Sequence, residues 1–442
     1  MTGRTMIDRN DILNPWTDDD EREHFPTVLE WWCVEAFFKS LEDNKRWNLK
    51  VTFNEWFEKP KIGSISNMTL FDQVNNKHFI NYSRRDSFKL ESAKDSFNVR
   101  YGNSFMKGAF PNYEMHFNDP KNDIEIDFKY RAESYPHWIA QDITKGWLPM
   151  GFGFFRYGFI PKNQLTGTMK IKDETFTIEG TGYFEHVWGD FLYDNPLSNA
   201  SGLTKTIATY TKLFGWWIRN HTIRIPSSIT FSTENNPFGY DWVWALFDNG
   251  WTLFYGNMMF WIMDGPATGS LIFSKDGKTY TEFCDITFHY KKTKYANEYD
   301  FYYPLELEIT AMKGKEKLHL TFKMTNEPRE YVNRFLHSKA CWIGLAICEG
   351  PGIVEGYYAN GKETIKLSGI CKIEPQRQIS VIGHNKLKVD FLLPPKGVGI
   401  SIDFESHFFR KKITKKLQLA PSPKIKLHIE RIDGSKIHTN KF

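Results

Sequence analysis

Residues 180–189, GTGYFEHVWG, hold the side chains of this chain that are best suited to chemistry. Side chains alternate between the two faces of a strand, so Phe184, His186 and Trp188 are predicted to lie on one face and Tyr183 on the other. An imidazole two residues from an indole places a proton-handling group on an aromatic wall. His186 and Trp188 are therefore candidate catalytic residues.

Three carboxylates stand close to aromatic residues in the sequence. Asp190 directly follows the stretch, and Glu30 and Asp241 each precede closely spaced tryptophans. Protonation of an isolated carbon–carbon double bond needs a carboxylic acid that burial keeps neutral, and aromatic faces stabilise the resulting cation. His186 would then position water or orient the acid. Asp190 and Asp241 join the catalytic candidates, and the alternative for each carboxylate is a hydrogen bond or salt bridge at a strand end.

Further residues would line a cavity and hold the ligand. They are one carboxylate, one amide and several aromatic residues: Glu30, Trp31, Trp32, Tyr183, Trp242, Trp244, Tyr255 and Asn257. The same set would serve a pericyclase or isomerase, which needs shape and one or two hydrogen-bond donors to a carbonyl. It would also serve a carrier that binds an apolar molecule without turnover. The residues alone leave these alternatives open.

Strands are predicted to position most of these residues. Apolar and polar residues alternate over 124–130, 305–309 and 317–323, and Asn, Gly, Asp and Lys turns separate such segments. Short strands joined in this way indicate an all-β chain with antiparallel pairing. One segment differs, since apolar residues over 201–221 recur at helical spacing. This helix would pack over a barrel end, cover a ligand cavity or touch a membrane.

An internal repeat divides the chain into two modules. Residues 165–185 align without a gap to residues 354–374, an offset of 189. Gly180 and Glu185 recur, so they are predicted to shape a strand, whereas the His-x-Trp pair has a proline and Arg377 in its place. Two related β modules, each closed into a small barrel that can hold one apolar ligand, are the simplest account.

Two signatures resemble those of the AttH/carotenoid 1,2-hydratase (CrtC)-like family. Glu30-Trp31-Trp32 is similar to the E-W-W-Y opening of that family, and residues 182–189 are similar to its G-Y-x-D/E-H-x-W-G motif. The resemblance covers about residues 25–425. It implies two lipocalin-like barrels that hold an apolar ligand, as in carotenoid hydratases, kievitone hydratase-like enzymes and fungal Diels–Alderases.

The chain departs from the family pattern at two places. Cys33 replaces the tyrosine that follows the paired tryptophans, and Tyr255-Gly256-Asn257 stands where the carotenoid hydratases carry Tyr-x-Asp. An asparagine cannot act as a carboxylic acid. This departure favours the pericyclase or isomerase interpretation over the hydratase one.

The predicted fold is all-β, with two tandem lipocalin-like antiparallel barrels and a helical insertion between them. The predicted boundaries are 1–25 for a polar lead-in, 26–190 for the first barrel, 191–239 for the insertion, 240–425 for the second barrel and 426–442 for a basic tail. The predicted function is binding of an apolar isoprenoid- or polyketide-like molecule, with hydratase, cyclase or isomerase activity. The alternative is a carrier without catalysis.

Composition restricts the partners. The net charge of +4 predicts no nucleic-acid partner, although peripheral membrane contact through 201–221 or the basic tail is a further hypothesis. Five scattered cysteines without a CxxC motif, and a polar start without a secretory signal, predict a cytoplasmic protein with reduced thiols. Histidines lack metal-ligand spacing and glycines lack a phosphate-loop context, so no metal and no other cofactor is predicted.

Overall fold

The structure is a computed structural model that describes residues 7–150, 153–191, 202–220, 228–232, 239–257, 269–283, 285–296, 301–334, 341–382, 385–394, 397–406 and 409–431. Within these ranges the chain forms 28 strands, two α-helices and one short 3-10 helix, Asp18–Asp20. The strands pair in antiparallel fashion. The all-β class that the alternating pattern predicts is therefore confirmed.

Thirteen of the strands within the described ranges form the first sheet. They are β1 (Leu29–Ser40), β2 (Arg46–Glu58), β3 (Lys61–Asp72), β4 (Lys77–Asp86), β5 (Glu91–Ser92), β6 (Phe97–Tyr101), β7 (Ser104–Ala109), β8 (Asn112–Asp119), β9 (Ile124–Ala132), β10 (His137–Trp138), β11 (Trp147–Met150), β12 (Gly153–Ile171) and β13 (Glu174–Asp190). Their order is β4-β3-β2-β1-β13-β12-β9-β8-β7-β6-β5, and β10 and β11 pair with β12. Helix α1 (Gln141–Thr144) lies between β10 and β11 in the chain.

Alternation along each strand builds the core of this sheet. On β9, Ile124, Ile126, Phe128 and Tyr130 are buried, and the residues between them are charged. The inward faces of β1, β2 and β13 add large apolar side chains to the same core, among them Trp32, Val34, Val51, Phe53, Phe184 and Trp188. This core is rich in aromatic residues, which accounts for much of the aromatic surplus in the composition.

The other fifteen strands of the described ranges form the second sheet. They are β14 (Ser228–Ser232), β15 (Gly239–Phe247), β16 (Thr252–Asn257), β17 (Gly269–Ser274), β18 (Thr281–Phe283), β19 (Asp285–Ala296), β20 (Phe301–Lys313), β21 (Glu316–Met324), β22 (Arg329–Arg334), β23 (Cys341–Ala359), β24 (Thr364–Ile382), β25 (Asn385–Leu392), β26 (Val398–Ser406), β27 (Lys411–Ala420) and β28 (Lys424–Arg431). Their main order is β18-β17-β16-β15-β24-β23-β21-β20-β19. Strands β25 to β28 continue from β24, β14 pairs with β25, and β22 pairs with β23.

The sequence repeat corresponds to two long hairpins, β12–β13 and β23–β24. Leu165 lies opposite Gly180 in the first hairpin, and Val354 lies opposite Gly369 in the second. The two strands that carry the start of the repeat also have equivalent outer neighbours, since β12 pairs with β9 and β23 pairs with β21. The repeat therefore reflects one strand arrangement that is used twice.

The chain divides into two compact units. The first unit contains Met1–Arg219, Trp244–Phe254 and Ile272–Glu282. The second contains Asn220–Val243, Tyr255–Leu271 and Phe283–Phe442. Of the predicted basic tail 426–442, the part up to Arg431 lies in β28, and the rest lies outside the described residues.

The predicted helix is present as α2 (Leu203–Asn220). Its first turn packs on β12, because the Thr206 hydroxyl donates to the carbonyl of Gly153 at 3.2 Å. The Lys205 ammonium also lies 4.1 Å from the ring centre of Phe154. The remainder of the predicted insertion 191–239 falls largely outside the described residues. Neither helix in the described ranges combines the length and the hydropathy that crossing a membrane requires.

Candidate functional site

The two strongest candidates, His186 and Trp188, lie on β13, which pairs with β1 on one side and with β12 on the other. Trp32 of β1 lies directly opposite His186, and Glu30 lies directly opposite Trp188. Phe184 and Trp188 belong to the core of the first unit, and His186 is fully buried beside them. The alternation predicted for this strand therefore places the imidazole and the indole on the same inward face.

His186 and Glu30 form the centre of a buried hydrogen-bond cluster. His186 Nε2 lies 2.8 Å from Glu30 Oε1, and His186 Nδ1 lies 2.8 Å from the backbone carbonyl oxygen of Asp20. The backbone N–H of His24 donates to both carboxylate oxygens of Glu30 at 3.0 Å, and His24 Nδ1 lies 3.1 Å from Oε1. Two imidazoles thus converge on a single carboxyl group.

The partners of His186 fix how many protons the cluster holds. A carbonyl oxygen only accepts, so Nδ1 of His186 carries a proton that it donates to Asp20. Nε2 and Glu30 then share one further proton. Burial opposes a charge on Glu30, but the hydrogen bonds and charges of His186 and His24 outweigh burial and hold the pKa of that carboxyl below its usual range. Burial also lowers the pKa of His186, and its hydrogen bond to Glu30 opposes that shift. The 2.8 Å contact needs a proton between Nε2 and Oε1. We place that proton on His186 Nε2, which donates to the Glu30 carboxylate, because the hydrogen bonds around Glu30 favour its ionised form.

Indole faces cover both imidazoles. The His24 ring is parallel to Trp188 within 6°, with ring centres 3.9 Å apart, and the His186 ring stacks on Trp32 at 4.6 Å. An aromatic face stabilises an adjacent cation by about 0.5–2 kcal/mol. The stack on Trp32 therefore favours a protonated His186 ring beside Glu30, and an indole face in this setting would also favour a carbocation.

The N-terminal segment, predicted only as a polar lead-in, supplies residues that sequence reasoning missed. Besides His24 and the Asp20 carbonyl, it contributes Glu21, whose side chain accepts from the Phe110 N–H at 2.8 Å and from the Tyr113 hydroxyl at 2.5 Å. Burial raises the pKa of Glu21. The run of acids before His24 was visible in the sequence, but nothing local indicated which strand it would cover.

The opposite face of β13 carries a second buried carboxyl. Glu185 accepts hydrogen bonds from the indole N–H of Trp31 at 2.9 Å and from the Tyr183 hydroxyl at 2.8 Å, and the Tyr157 hydroxyl donates to it as well. Burial raises the pKa of Glu185. This network holds Trp31 and Tyr183, two predicted ligand-binding residues, by hydrogen bonds on the face of β13 that points away from His186.

The other two candidate acids have different surroundings. Asp190 is half-buried at the end of β13. Burial lowers the pKa of Lys205, and the charge of Asp190 opposes that shift. Asp241, in the second unit, is fully buried and accepts from Arg377 Nη2 at 3.0 Å and from the Tyr290 hydroxyl. Arg377 is the residue that the repeat aligns with Trp188. The second unit thus has a buried carboxylate–guanidinium pair, whereas the first has a buried carboxylate–imidazole pair.

The remaining predicted ligand-binding residues are divided between the units. Trp244, in the first unit, is buried, and its ring centre lies 5.6 Å from that of Tyr183. Its indole N–H donates to the Pro161 carbonyl at 2.8 Å. Trp242 and Tyr255 are buried in the second unit, and the Tyr255 hydroxyl has no hydrogen-bond partner among the described residues. The side chain of Asn257 lies outside what the structure describes.

Glu30 and His186, both buried, form with His24 a cluster that has the donor types a metal ion would use. The nearest atoms of His24, Glu30 and His186 lie within 4.8 Å of one another. Their contacts of 2.8 and 3.1 Å are ordinary hydrogen-bond distances, and protons on the two imidazoles complete them. The geometry accordingly describes a proton-sharing cluster.

No protein-family model matches the chain, and no curated protein sequence matches it. Solved structures with a similar fold include an AttH protein from Nitrosomonas europaea, with a TM-score of 0.55 and 14% identity over 84% of this chain and 98% of its own. Kievitone hydratase from Nectria haematococca is also similar, with a TM-score of 0.51 and 11% identity over 84% of this chain and 96% of its own. The predicted AttH-like, lipocalin-like fold is therefore confirmed.

Proposed function

We propose that this chain is an enzyme of the hydratase type that transfers a proton to a carbon–carbon double bond of an apolar isoprenoid- or polyketide-like molecule. The observation that carries the proposal is the buried Glu30–His186–His24 cluster against the faces of Trp32 and Trp188. One of the proteins that share the fold is named a hydratase, which agrees with this chemistry.

The cluster suits the second half of such a reaction. Once the double bond has gained a proton, the adjacent carbon is a cation, and the indole faces stabilise it. Glu30, ionised and oriented by His186, accepts a proton from the water that attacks this carbon. If the cation instead loses a proton or closes a ring, the same site gives an isomerase or a cyclase.

The test is turnover of a panel of isoprenoid and polyketide alkenes in heavy-oxygen water and in heavy water, followed by mass spectrometry. Addition of water incorporates labelled oxygen and carbon-bound deuterium, whereas isomerisation incorporates deuterium alone. We expect Glu30→Gln, which keeps the side-chain shape, to lower turnover by about 10²–10⁴-fold. Glu114→Gln, at an exposed position on β8, is the control and should leave turnover unchanged.

Two outcomes would contradict the proposal. Equal turnover in Glu30→Gln and wild-type protein would remove the cluster from the reaction. Alkenes that bind to the wild-type protein and are recovered unchanged, without deuterium, would show the carrier that the sequence left as the alternative. Native mass spectrometry of the purified protein would then identify the cargo that it retains.

A further inference from the structure

Glu55 lies in a row of polar side chains at one end of the first core. In the register of the sheet, Ser64 of β3 is opposite Glu55 of β2, and Glu55 is opposite Glu30 of β1. Glu30 is opposite Trp188, and Trp188 is opposite Arg156 of β12. The neighbouring inward row contains Phe53, Trp32 and His186. Glu55 therefore shares an inward-facing row with the Glu30 cluster.

The Glu55 carboxyl is buried but only partly satisfied. Its side chain is 2% exposed, and Oε2 accepts from the backbone N–H of Leu90 at 2.9 Å. Oε1 has no hydrogen-bond partner within the described part of the chain. Side chains directly opposite one another on an antiparallel pair have Cβ atoms about 5 Å apart, so Glu55 and Glu30 are direct neighbours. A buried oxygen without a partner is unfavourable for structure alone, which points to a use for it.

Burial and two neighbouring carboxylates favour the neutral form of Glu55. Burial is the largest influence and raises the pKa of Glu55 to about 8, and the negative charges of Glu23 and Glu30 act in the same direction. Lys89 opposes them, but its ammonium is paired with Glu23. Glu55 and Glu30 are thus neighbouring carboxyls whose pKa values shift in opposite directions, an arrangement that separates a proton donor from a proton acceptor.

We propose that Glu55 is the proton donor of this site and that Glu30 is the acceptor that returns a proton to it. This inference rests on the proposed hydratase-type function. The O–H bond of Glu55 breaks as the π electrons of the double bond form a C–H bond, which leaves a carboxylate and a carbocation. Water then forms a C–O bond to the cation and passes one proton to Glu30. Transfer of that proton from Glu30 to Glu55 restores both groups, and the net reaction adds one water.

Infrared spectroscopy tests the proton on Glu55 without any substrate. A neutral carboxyl and a carboxylate absorb at different positions, so a titration between about pH 6 and about pH 10 would follow the ionisation of Glu55. We expect the wild-type protein to show a neutral-carboxyl band at neutral pH that is lost on alkalinisation. Because burial also raises the pKa of Glu21 and Glu185, the Glu55 band is read from difference spectra. The difference between wild type and Glu55→Gln should contain it, and the difference between wild type and Glu114→Gln should not.

Turnover tests the transfer itself. We expect Glu55→Gln to lower turnover by about 10²–10⁴-fold while it still binds the alkene, and Glu55→Asp to recover part of that loss. Absence of the Glu55 band at neutral pH would overturn the inference whatever the turnover. Loss of turnover in Glu30→Gln but not in Glu55→Gln would overturn it and leave the proposed function intact. If the Glu55 band is present but wild-type protein turns over no alkene, both the proposed function and the donor role fail.

Discussion

At the residue scale, the position of one proton on His186 decides what Glu30 can do. The hydrogen bond from Nδ1 to the Asp20 carbonyl holds the ring so that Nε2 faces Glu30, and the proton placed on Nε2 keeps the carboxylate hydrogen-bonded and oriented. Without the Asp20 contact the ring could rotate away from Glu30. The backbone carbonyl of Asp20 therefore fixes the orientation of the imidazole, as the third residue of a catalytic triad does.

Glu30 and Glu55 should make the free energy of unfolding depend on pH in opposite directions. The pKa of Glu30 is lowered by folding, so its contribution is present above its ordinary value of 4.5 and is lost as the pH falls through the folded pKa. The stability deficit of Glu30→Gln should therefore shrink in acid. The pKa of Glu55 is raised to about 8 in the folded protein. The wild-type protein therefore loses stability as the pH rises from 4.5 to about 8. Glu55→Gln should remove that loss.

Urea unfolding across this pH range measures both effects. One shifted group changes the free energy of unfolding by at most about 1.4 kcal/mol per pH unit between its two pKa values. The difference between Glu55→Gln and wild type should grow as the pH rises from about 5 to about 8. Parallel stability curves for wild type and Glu55→Gln would show that the carboxyl is ionised at neutral pH and contradict its assignment.

Sequence reasoning reached part of this site and could not reach the rest. The period of two along 180–189 was enough to place His186 and Trp188 on one face, because alternation is a local property of a strand. Glu30 was recognised from its tryptophan neighbours. His24 and Glu55 were missed, since each acts through contacts that only the sheet register and the path of the N-terminal segment create.

At the element scale, the β12–β13 hairpin positions the site through close packing as well as hydrogen bonds. Gly158 of β12 lies opposite His186, and a Cβ atom there would come within 2.5 Å of the Trp138 ring and 2.7 Å of the Trp16 ring. Trp138 in turn meets Trp188 edge to face at 5.7 Å. The missing side chain at position 158 thus makes room for the aromatic residues behind the catalytic candidates.

Gly158→Ala should therefore destabilise the first unit by about 1–3 kcal/mol, because the indoles must move to admit the methyl group. The matched control is Gly215→Ala in helix α2, where a Cβ atom meets nothing within 4 Å. That substitution should stabilise the helix by up to about 1 kcal/mol. Thermal unfolding measures both, and equal effects of the two substitutions would contradict the packing argument.

The repeat could be predicted at this scale because its glycines and apolar residues recur with constant spacing. Helix α2 was also predictable, since its apolar residues follow the helical period over its length. The polar contacts that each hairpin makes could not be predicted from this spacing. Glu30 contacts the imidazole of His186, whereas Asp241 contacts the guanidinium of Arg377, so the outcome depends on single residues of the partner strand.

At the scale of the whole molecule, the same strand arrangement carries different polar groups in the two units. In the first unit Glu30 contacts imidazole rings, which can donate and accept protons, whereas in the second Asp241 contacts Arg377, which stays protonated. The first arrangement suits proton transfer, and the second suits a fixed ion pair. The repeat therefore indicates that the proposed proton chemistry belongs to the first unit.

Asp241→Asn should destabilise the protein by about 3–5 kcal/mol, since it leaves a buried guanidinium without its counter-charge. A double variant that also carries Arg377→Met should recover part of this loss because no uncompensated charge then remains. Glu355→Gln, at an exposed position on β23, serves as the control. Denaturant unfolding measures all of them. A double variant as unstable as the sum of the single variants would contradict a direct pairing.

The stack of His24 on Trp188 has a spectroscopic consequence. Protons held above the face of an indole experience its ring current, which moves their magnetic resonance signals upfield of those from other histidines. With ring centres 3.9 Å apart and planes nearly parallel, the carbon-bound ring protons of His24 lie in that field. Their resonances would stand apart in a proton spectrum and would move if the stack opened. The integrity of the cluster can thus be followed in the resting protein, before any substrate is known.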